Sequence, residues 1–322
     1  MIFMRLTVVG CAGSFPGPES PASCYLLEAD GFRVVIDFGN GSLGALQKYT
    51  GLFDVNAVCL SHLHADHCVD LYSYSIARTY SPAGPQPAIP VYGPARTAER
   101  MGFIHGLDGD DLGLMKRFTF QTLEPGHLVI GPFDVQLVHV NHPVETFAFR
   151  FSYGGRSLVY TGDTGEIEAV PELAAGADVF LSEAAFLEGP GLPPGIHLTA
   201  RQAGAYANRA GAGKLVLTHL VPGNSPDDAR AEAASEFPGD SDIAVAGQVI
   251  EVLAVLPALT VLVPLAAARS GPLSFPRRCS LVPRSSLLAS RTGARPLARG
   301  KARWTGLLPA SPGRRAPVSW PA

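Results

Sequence analysis

Short apolar runs alternate with polar or helical stretches through the first 250 residues. Leu6–Val9, Cys24–Leu27 and Phe32–Ile36 read as three early strands, the last two joined by the turn Ala29-Asp30-Gly31. Leu43–Tyr49 suits a short helix, Ala57–Leu60 a buried strand, and the residues around Val69–Thr79 a second helix. The proline-rich stretch Ser81–Pro90 reads as a loop. Val135–Val140, Phe147–Phe151 and Leu158–Tyr160 read as consecutive strands, and Val179–Ser182 and Leu215–Thr218 as two more. Thr199–Ala210 is a helix opened by a capping threonine and Asp227–Glu236 another; Ile243–Val245 with Val249–Leu253 closes the series as a hairpin. Strand-heavy halves, each followed by helices, predict an α/β (α+β) body of two sheets packed face to face with helices outside.

The pattern stops near Leu256. Val252–Ala268 is apolar over 17 residues, but it contains Pro257 and Pro264. It is also short for a span of about 20 residues, so no stable membrane insertion is expected. From there to Ala322 the chain is rich in Pro, Ser, Arg, Leu and Gly without periodicity. The expected division is a folded domain over 1–254 and a basic, disordered tail over 255–322. Charge follows the same line: the formal −3 combines −14 over residues 1–251 with +11 over the last 71, which hold ten Arg, one Lys and no acid. A composition of 47% hydrophobic and 16% charged residues supports a sizeable core and excludes a chain disordered throughout. So acidic a body argues against a general nucleic-acid binder, which needs clustered Lys and Arg. Five cysteines are too few for a disulfide scaffold, and Met1-Ile-Phe-Met-Arg-Leu has no signal-peptide pattern. A reduced, cytoplasmic protein is expected.

The most informative stretch is Ser61-His62-Leu63-His64-Ala65-Asp66-His67, which puts four potential metal ligands within six residues after an apolar strand. In an extended segment His62 and His64 point the same way and can close on one cation. A helix starting at Ala65 would send Asp66 and His67 towards a neighbouring point, which suits two metals a few ångströms apart. Further candidates stand at other strand ends: His142 in Asn141-His142-Pro143, Asp163 in Thr161-Gly162-Asp163-Thr164, and His219 in Leu217-Thr218-His219-Leu220. Singly each is more often a packing or turn residue; together they sit where α/β sites collect ligands. His139 rivals His142 but lies inside a strand, and His105 and His127 have no ligand-like context.

His-x-His-x-Asp-His, followed by a lone His, a Gly-Asp-Thr and a final Thr-His, resembles the metallo-β-lactamase-fold hydrolases over about residues 5–253. The resemblance implies a four-layer αββα sandwich. It also implies that His62, His64 and His142 hold one metal, that Asp66, His67 and His219 hold the second, and that Asp163 bridges them. Val9–Ser14, Ser20–Leu27 and Ile36–Gly39 are similar to the opening of the RNase Z and cyclic-nucleotide phosphodiesterase branch, as are Leu181–Phe186 and His197–Ala200. In its ribonuclease members the matching Glu and His form a proton relay, which maps onto Glu183 and His197. Ser20–Leu27, Ser61–Asp70 and Val179–Ala184 are most similar to actinobacterial atypical class II phosphodiesterases that degrade cAMP. RNase Z grips tRNA with an arm extruded between the third and fourth ligand motifs; here only 20 residues separate His142 from Asp163, and strand patterns fill them.

The expected reaction is hydrolysis of a small 3′,5′-cyclic nucleotide to its 5′-monophosphate by a hydroxide held between two divalent ions. Asp66 would orient it, and His197, oriented by Glu183, would serve the leaving alkoxide. The mixed N/O ligand set suits zinc, with manganese or iron as alternatives. Other readings are a tRNA 3′-processing endonuclease, a hydrolase of a carbon ester, thioester or lactam, and a silent binding module; the filled ligand positions argue against the last. Relatives in this branch often pair, which implies a homodimer.

Overall fold

The computed structural model describes residues 3–104, 106 and 113–253. Alternation within the strands decides its layering. Among the described residues the first sheet holds β1 (Phe3–Gly10), β2 (Cys24–Ala29), β3 (Phe32–Ile36), β4 (Ala57–Cys59), β5 (Ile89–Gly93), β6 (Phe118–Thr122) and β14 (Val249–Leu253). The second holds β7 (Gly126–Ile130), β8 (Phe133–His139), β9 (Phe147–Tyr153), β10 (Arg156–Tyr160), β11 (Val179–Glu183), β12 (Lys214–Thr218) and β13 (Asp240–Ile243). Their orders, β14-β1-β2-β3-β4-β5-β6 and β13-β12-β11-β10-β9-β8-β7, run as counterparts. In each, an antiparallel block passes into parallel strands, at β3/β4 in the first and β10/β11 in the second.

Successive residues of a strand serve different layers. Tyr25, Val34, Ile36 and Cys59 face the second sheet and meet Phe149, Leu158, Tyr160 and Leu181 in a shared core. Their neighbours Leu26, Val35 and Val58 turn outward to α1 (Ser42–Leu46), α3 (Asp70–Thr79) and α4 (Thr97–Ile104). On the far side Val159, Phe180, Leu215 and Leu217 pack under α5 (Ala169–Leu173), α6 (Ala200–Ala210) and α7 (Pro226–Glu236). Strands covered on both faces read as continuous apolar runs, which is why β4 and β12 lack a polar alternation. The expected αββα sandwich is the observed architecture.

Two readings of the chain are corrected. Ile243 and Val249–Leu253 do not form a hairpin: β13 joins the second sheet beside β12, whereas β14 crosses to the first and pairs with β1. Hydropathy marks both segments as strands but carries no information on which sheet each joins. The Ser81–Pro90 loop ends early, because β5 begins at Ile89 and lies between β4 and β6. Pro90 is tolerated there since pairing with β4 starts only at Val91, so its missing N–H is not needed on that side. α4, β6, β7 and α5 lie in stretches that the pattern left unread. The expected tail, 255–322, lies outside the described residues, as does almost all of Val252–Ala268. Among the described residues no helix is long and apolar enough to cross a membrane, and Cys11, Cys24, Cys59 and Cys68 are free thiols.

Candidate metal centre

The sandwich brings the ends of β4, β8, β10, β11 and β12 to one place. Beyond β4 the chain bends at Ser61, passes His62 and turns into α2 (Ala65–Cys68), with His64 as its extended N-cap residue. His62 Nε2 lies 3.1 Å from His64 Nδ1, and His142 Nε2, past β8, lies 3.1 Å from the same atom. The turn aims Asp66 and His67 at a second point, where His67 Nε2 is 3.1 Å from His219 Nε2 and 3.4 Å from Asp66 Oδ2. Asp163 stands between the groups: its Oδ1 is 3.3 Å from His67 Nε2, and its Oδ2 is 3.7 Å from His62 Nε2 and 3.4 Å from His219 Nε2. All seven expected ligand residues therefore meet. Of the other histidines, His139 is exposed and stacks on Phe147 with ring centroids 4.5 Å apart, His127 is exposed on β7, and His105 lies outside the described residues.

These spacings suit cations. Around a tetrahedral ion with bonds of about 2.0–2.1 Å, neighbouring donors stand about 3.3 Å apart. One group offers three imidazoles; the other offers two imidazoles with Asp66 and Asp163, each group's donor atoms lying within 4.8 Å of one another. Asp163 Oδ1 is buried without a hydrogen-bond partner, which is costly unless something positive meets it. The outer nitrogen of His142 is committed as well. His142 Nδ1 donates to the Ile196 carbonyl at 3.0 Å, leaving its Nε2 lone pair directed inward. The donor set thus fits divalent cations.

A residue that the sequence reading quoted without assigning a role organises both groups. Asp37, fully buried at the end of β3 with φ of 55°, accepts four hydrogen bonds. Ser61 donates through its backbone N (2.7 Å) and Oγ (2.8 Å), His67 through Nδ1 (2.7 Å) and Tyr160 through its hydroxyl (2.7 Å). With its proton given to Asp37, Ser61 Oγ is left to accept from His62 Nδ1 at 3.0 Å. One carboxylate therefore fixes the tautomers of His62 and His67, so that both Nε2 atoms face the centre. Two glycines close the frame. A Cβ on Gly39 would lie 1.9 Å from the Asp66 carbonyl oxygen, and one on Gly13 would lie 2.1 Å from that of His219. Only glycine lets the neighbouring loops come so near.

Glu183 and His197 adjoin the centre. The buried Glu183 carboxylate accepts from the backbone of Thr164 (2.7 Å) and Ala185 (3.1 Å) and from His197 Nδ1 (2.9 Å). His197 is delivered by the segment entering α6, whose Thr199–Gln202 capping box sets the direction of approach. Burial is the largest influence on His62, His64 and His142 and holds all three below the usual imidazole range. For Asp66 and Asp163 burial works upward, but His219 and His67 outweigh it and hold both carboxyls down. Burial likewise opposes the upward shifts of His67 and His197; the Asp163 and Asp37 charges prevail at the first, the Glu183 hydrogen bond and charge at the second. Between His142 and Asp163 the chain is taken up by β9 and β10, as the spacing implied.

A family model described as the metallo-beta-lactamase superfamily matches residues 17–219. An uncharacterised protein of Mycobacterium tuberculosis is 41% identical over 258 residues, covering 78% of this chain and 93% of its own. The probable metallo-hydrolase YhfI of Bacillus subtilis is 30% identical over 258 residues, 77% of this chain and 100% of that protein. Its crystal structure matches with a TM-score of 0.69 over 78% of this chain and 100% of its own. Ribonuclease Z of Mycobacterium bovis is 30% identical over 266 residues, 74% of this chain and 95% of the enzyme. Yeast PDE1 shares the fold at 16% identity, with a TM-score of 0.61 over 78% of this chain and 100% of its own. The chain belongs to the metallo-β-lactamase superfamily of metallo-hydrolases, with ribonuclease Z among its relatives.

Proposed function

We propose that this chain is a cytoplasmic metal-dependent phosphodiesterase that hydrolyses 3′,5′-cyclic nucleotides such as cAMP to 5′-monophosphates. The observation that carries the reading is the adjoining of two donor groups, with Asp163 a member of one and its Oδ2 3.7 Å from His62 Nε2 of the other, and the Glu183–His197 pair beside them. His62, His64 and His142 would hold one divalent cation and Asp66, His67 and His219 the other, with Asp163 facing both; zinc suits this set. When bound, such a pair supplies an acidified water and neutralises charge on a phosphoryl group.

The chain's own residues do the rest. Asp66 accepts the hydrogen bond that orients the attacking water. His197, with Nδ1 held by Glu183, presents Nε2 to the departing 3′-oxygen and gives it a proton. Incubating the metal-loaded protein with cAMP is expected to yield 5′-AMP; no AMP with zinc, manganese or iron would overturn the reading.

His197→Ala is expected to lower kcat about 10²- to 10⁴-fold, the range of a positioned acid, while metal analysis still returns two equivalents. Glu183→Gln acts through His197 and should lower kcat with the metal content likewise kept. A drop in bound metal in either variant would make these residues ligands instead.

The similarity to ribonuclease Z supports a second reading, tRNA 3′-end cleavage. The acidic composition and the short interval holding β9 and β10 disfavour it, and a precursor-tRNA assay is expected to show no cleavage. Pairing of two copies, as implied by the branch, is read from the mass in solution.

A further inference from the structure

Directly beside His64 the surface opens into a cavity of about 510 Å³ that the mechanism above does not use. Leu63, Arg96, Arg100, Phe103 and Val144 line it together with His64. Its size lies within the range of about 300–1,000 Å³ typical of small-molecule sites. Of the three-imidazole group, His64 is the member that lines it.

The lining has an unusual balance. Phe103 is 64% exposed, although Met101 on the same helix is fully buried. Val144 is 38% exposed across the opening. Arg96 is spoken for, donating to Glu99 at 2.6 and 2.5 Å from a backbone with φ of 65°. A left-handed non-glycine residue of this kind is strained, and such strain gathers at ligand clamps. Glu145 ties the walls together by accepting from the Ala95 N–H at 2.9 Å. Arg100 is exposed, and its guanidinium makes no hydrogen bond or ion pair among the described residues. A free aromatic face and a free guanidinium thus share one cavity with His64. The smaller hollow beside His197, about 370 Å³, offers neither, since Phe186 already packs on His197 at 5.2 Å and no arginine lines it.

We propose that the cavity beside His64 is the subsite for a purine nucleoside, with the base stacked on Phe103 and its edge read by Arg100. Arg100 offers donors only, so it meets acceptors, N7 in either purine and O6 in guanine as well. The proposal rests on the phosphodiesterase reading and adds the part of the substrate that gives selectivity.

The test compares wild type, Phe103→Ala and Phe103→Trp of the full chain. One measurement is kcat/KM on cAMP relative to base-free ribose 3′,5′-cyclic phosphate. The other is calorimetric binding of 5′-AMP. The expected result is a fall of about 5- to 100-fold in that ratio for Phe103→Ala, carried by KM, and a similar loss of AMP binding. Phe103→Trp restores both, since it keeps the platform. If wild type cleaves cAMP and Phe103→Ala changes neither quantity, the subsite is overturned and the phosphodiesterase reading stands. If AMP binding depends on Phe103 but neither cyclic phosphate is cleaved, the phosphodiesterase reading falls and the nucleoside subsite stands. Loss of both results in wild type overturns both.

Discussion

Asp163→Ala is expected to leave one metal equivalent or fewer and to lower kcat on cAMP about 10³-fold. The size follows from the position of the carboxylate, whose oxygens lie 3.3 to 3.7 Å from His67, His219 and His62. Its removal takes a donor from the group of Asp66, His67 and His219 and the carboxylate that approaches His62 of the other group at 3.7 Å. The charge stabilisation at stake in a two-metal site is several kcal/mol, and each 1.4 kcal/mol is worth a factor of ten. Metal analysis beside turnover checks it. A variant that kept two equivalents and worked within tenfold of wild type would remove Asp163 from the centre.

The second large effect is expected on stability. Asp37→Ala would strand the Ser61 N–H, the Ser61 and Tyr160 hydroxyls and His67 Nδ1 in a site with no exposure. Several buried donors lose one partner together, which costs about 3–5 kcal/mol. Metal affinity should fall about 10- to 100-fold as well, because the rings of His62 and His67 lose the partner that fixes their tautomers. Urea unfolding of the metal-free protein reads the first effect and a metal titration the second. Unchanged affinity in a destabilised protein would confine Asp37 to packing.

The centre was legible where its chemistry is local. His62, His64, Asp66 and His67 fall in one turn after β4, so their spacing alone places two pairs of donors. His142, Asp163 and His219 could be chosen because each follows an apolar run, and parallel strands deliver such ends to one edge. Asp37 also ends a strand, but a single acid there carries no chemical mark; its role comes from Ser61 and Tyr160, which join it only in three dimensions. The cavity beside His64 was hidden for a similar reason. Arg100 and Phe103 lie on α4, a helix with mixed polarity that the pattern left unread, and their meeting with Val144 depends on the packing of the two sheets. The misread hairpin has the same origin: periodicity reports which side chains are buried, not which sheet buries them.

The partnership of β1 with β14 bears on how such a chain folds. Phe3 pairs with Leu253 and Thr7 with Val249, so one edge of β1 is covered only by a strand far along the chain, while β2 covers the other. Until β14 docks, β1 has one flank of open N–H and C=O groups, the kind of edge that invites association between chains. Joining β14 to that edge closes a very long loop, so the first sheet is expected to be completed late in folding, after its local pairings.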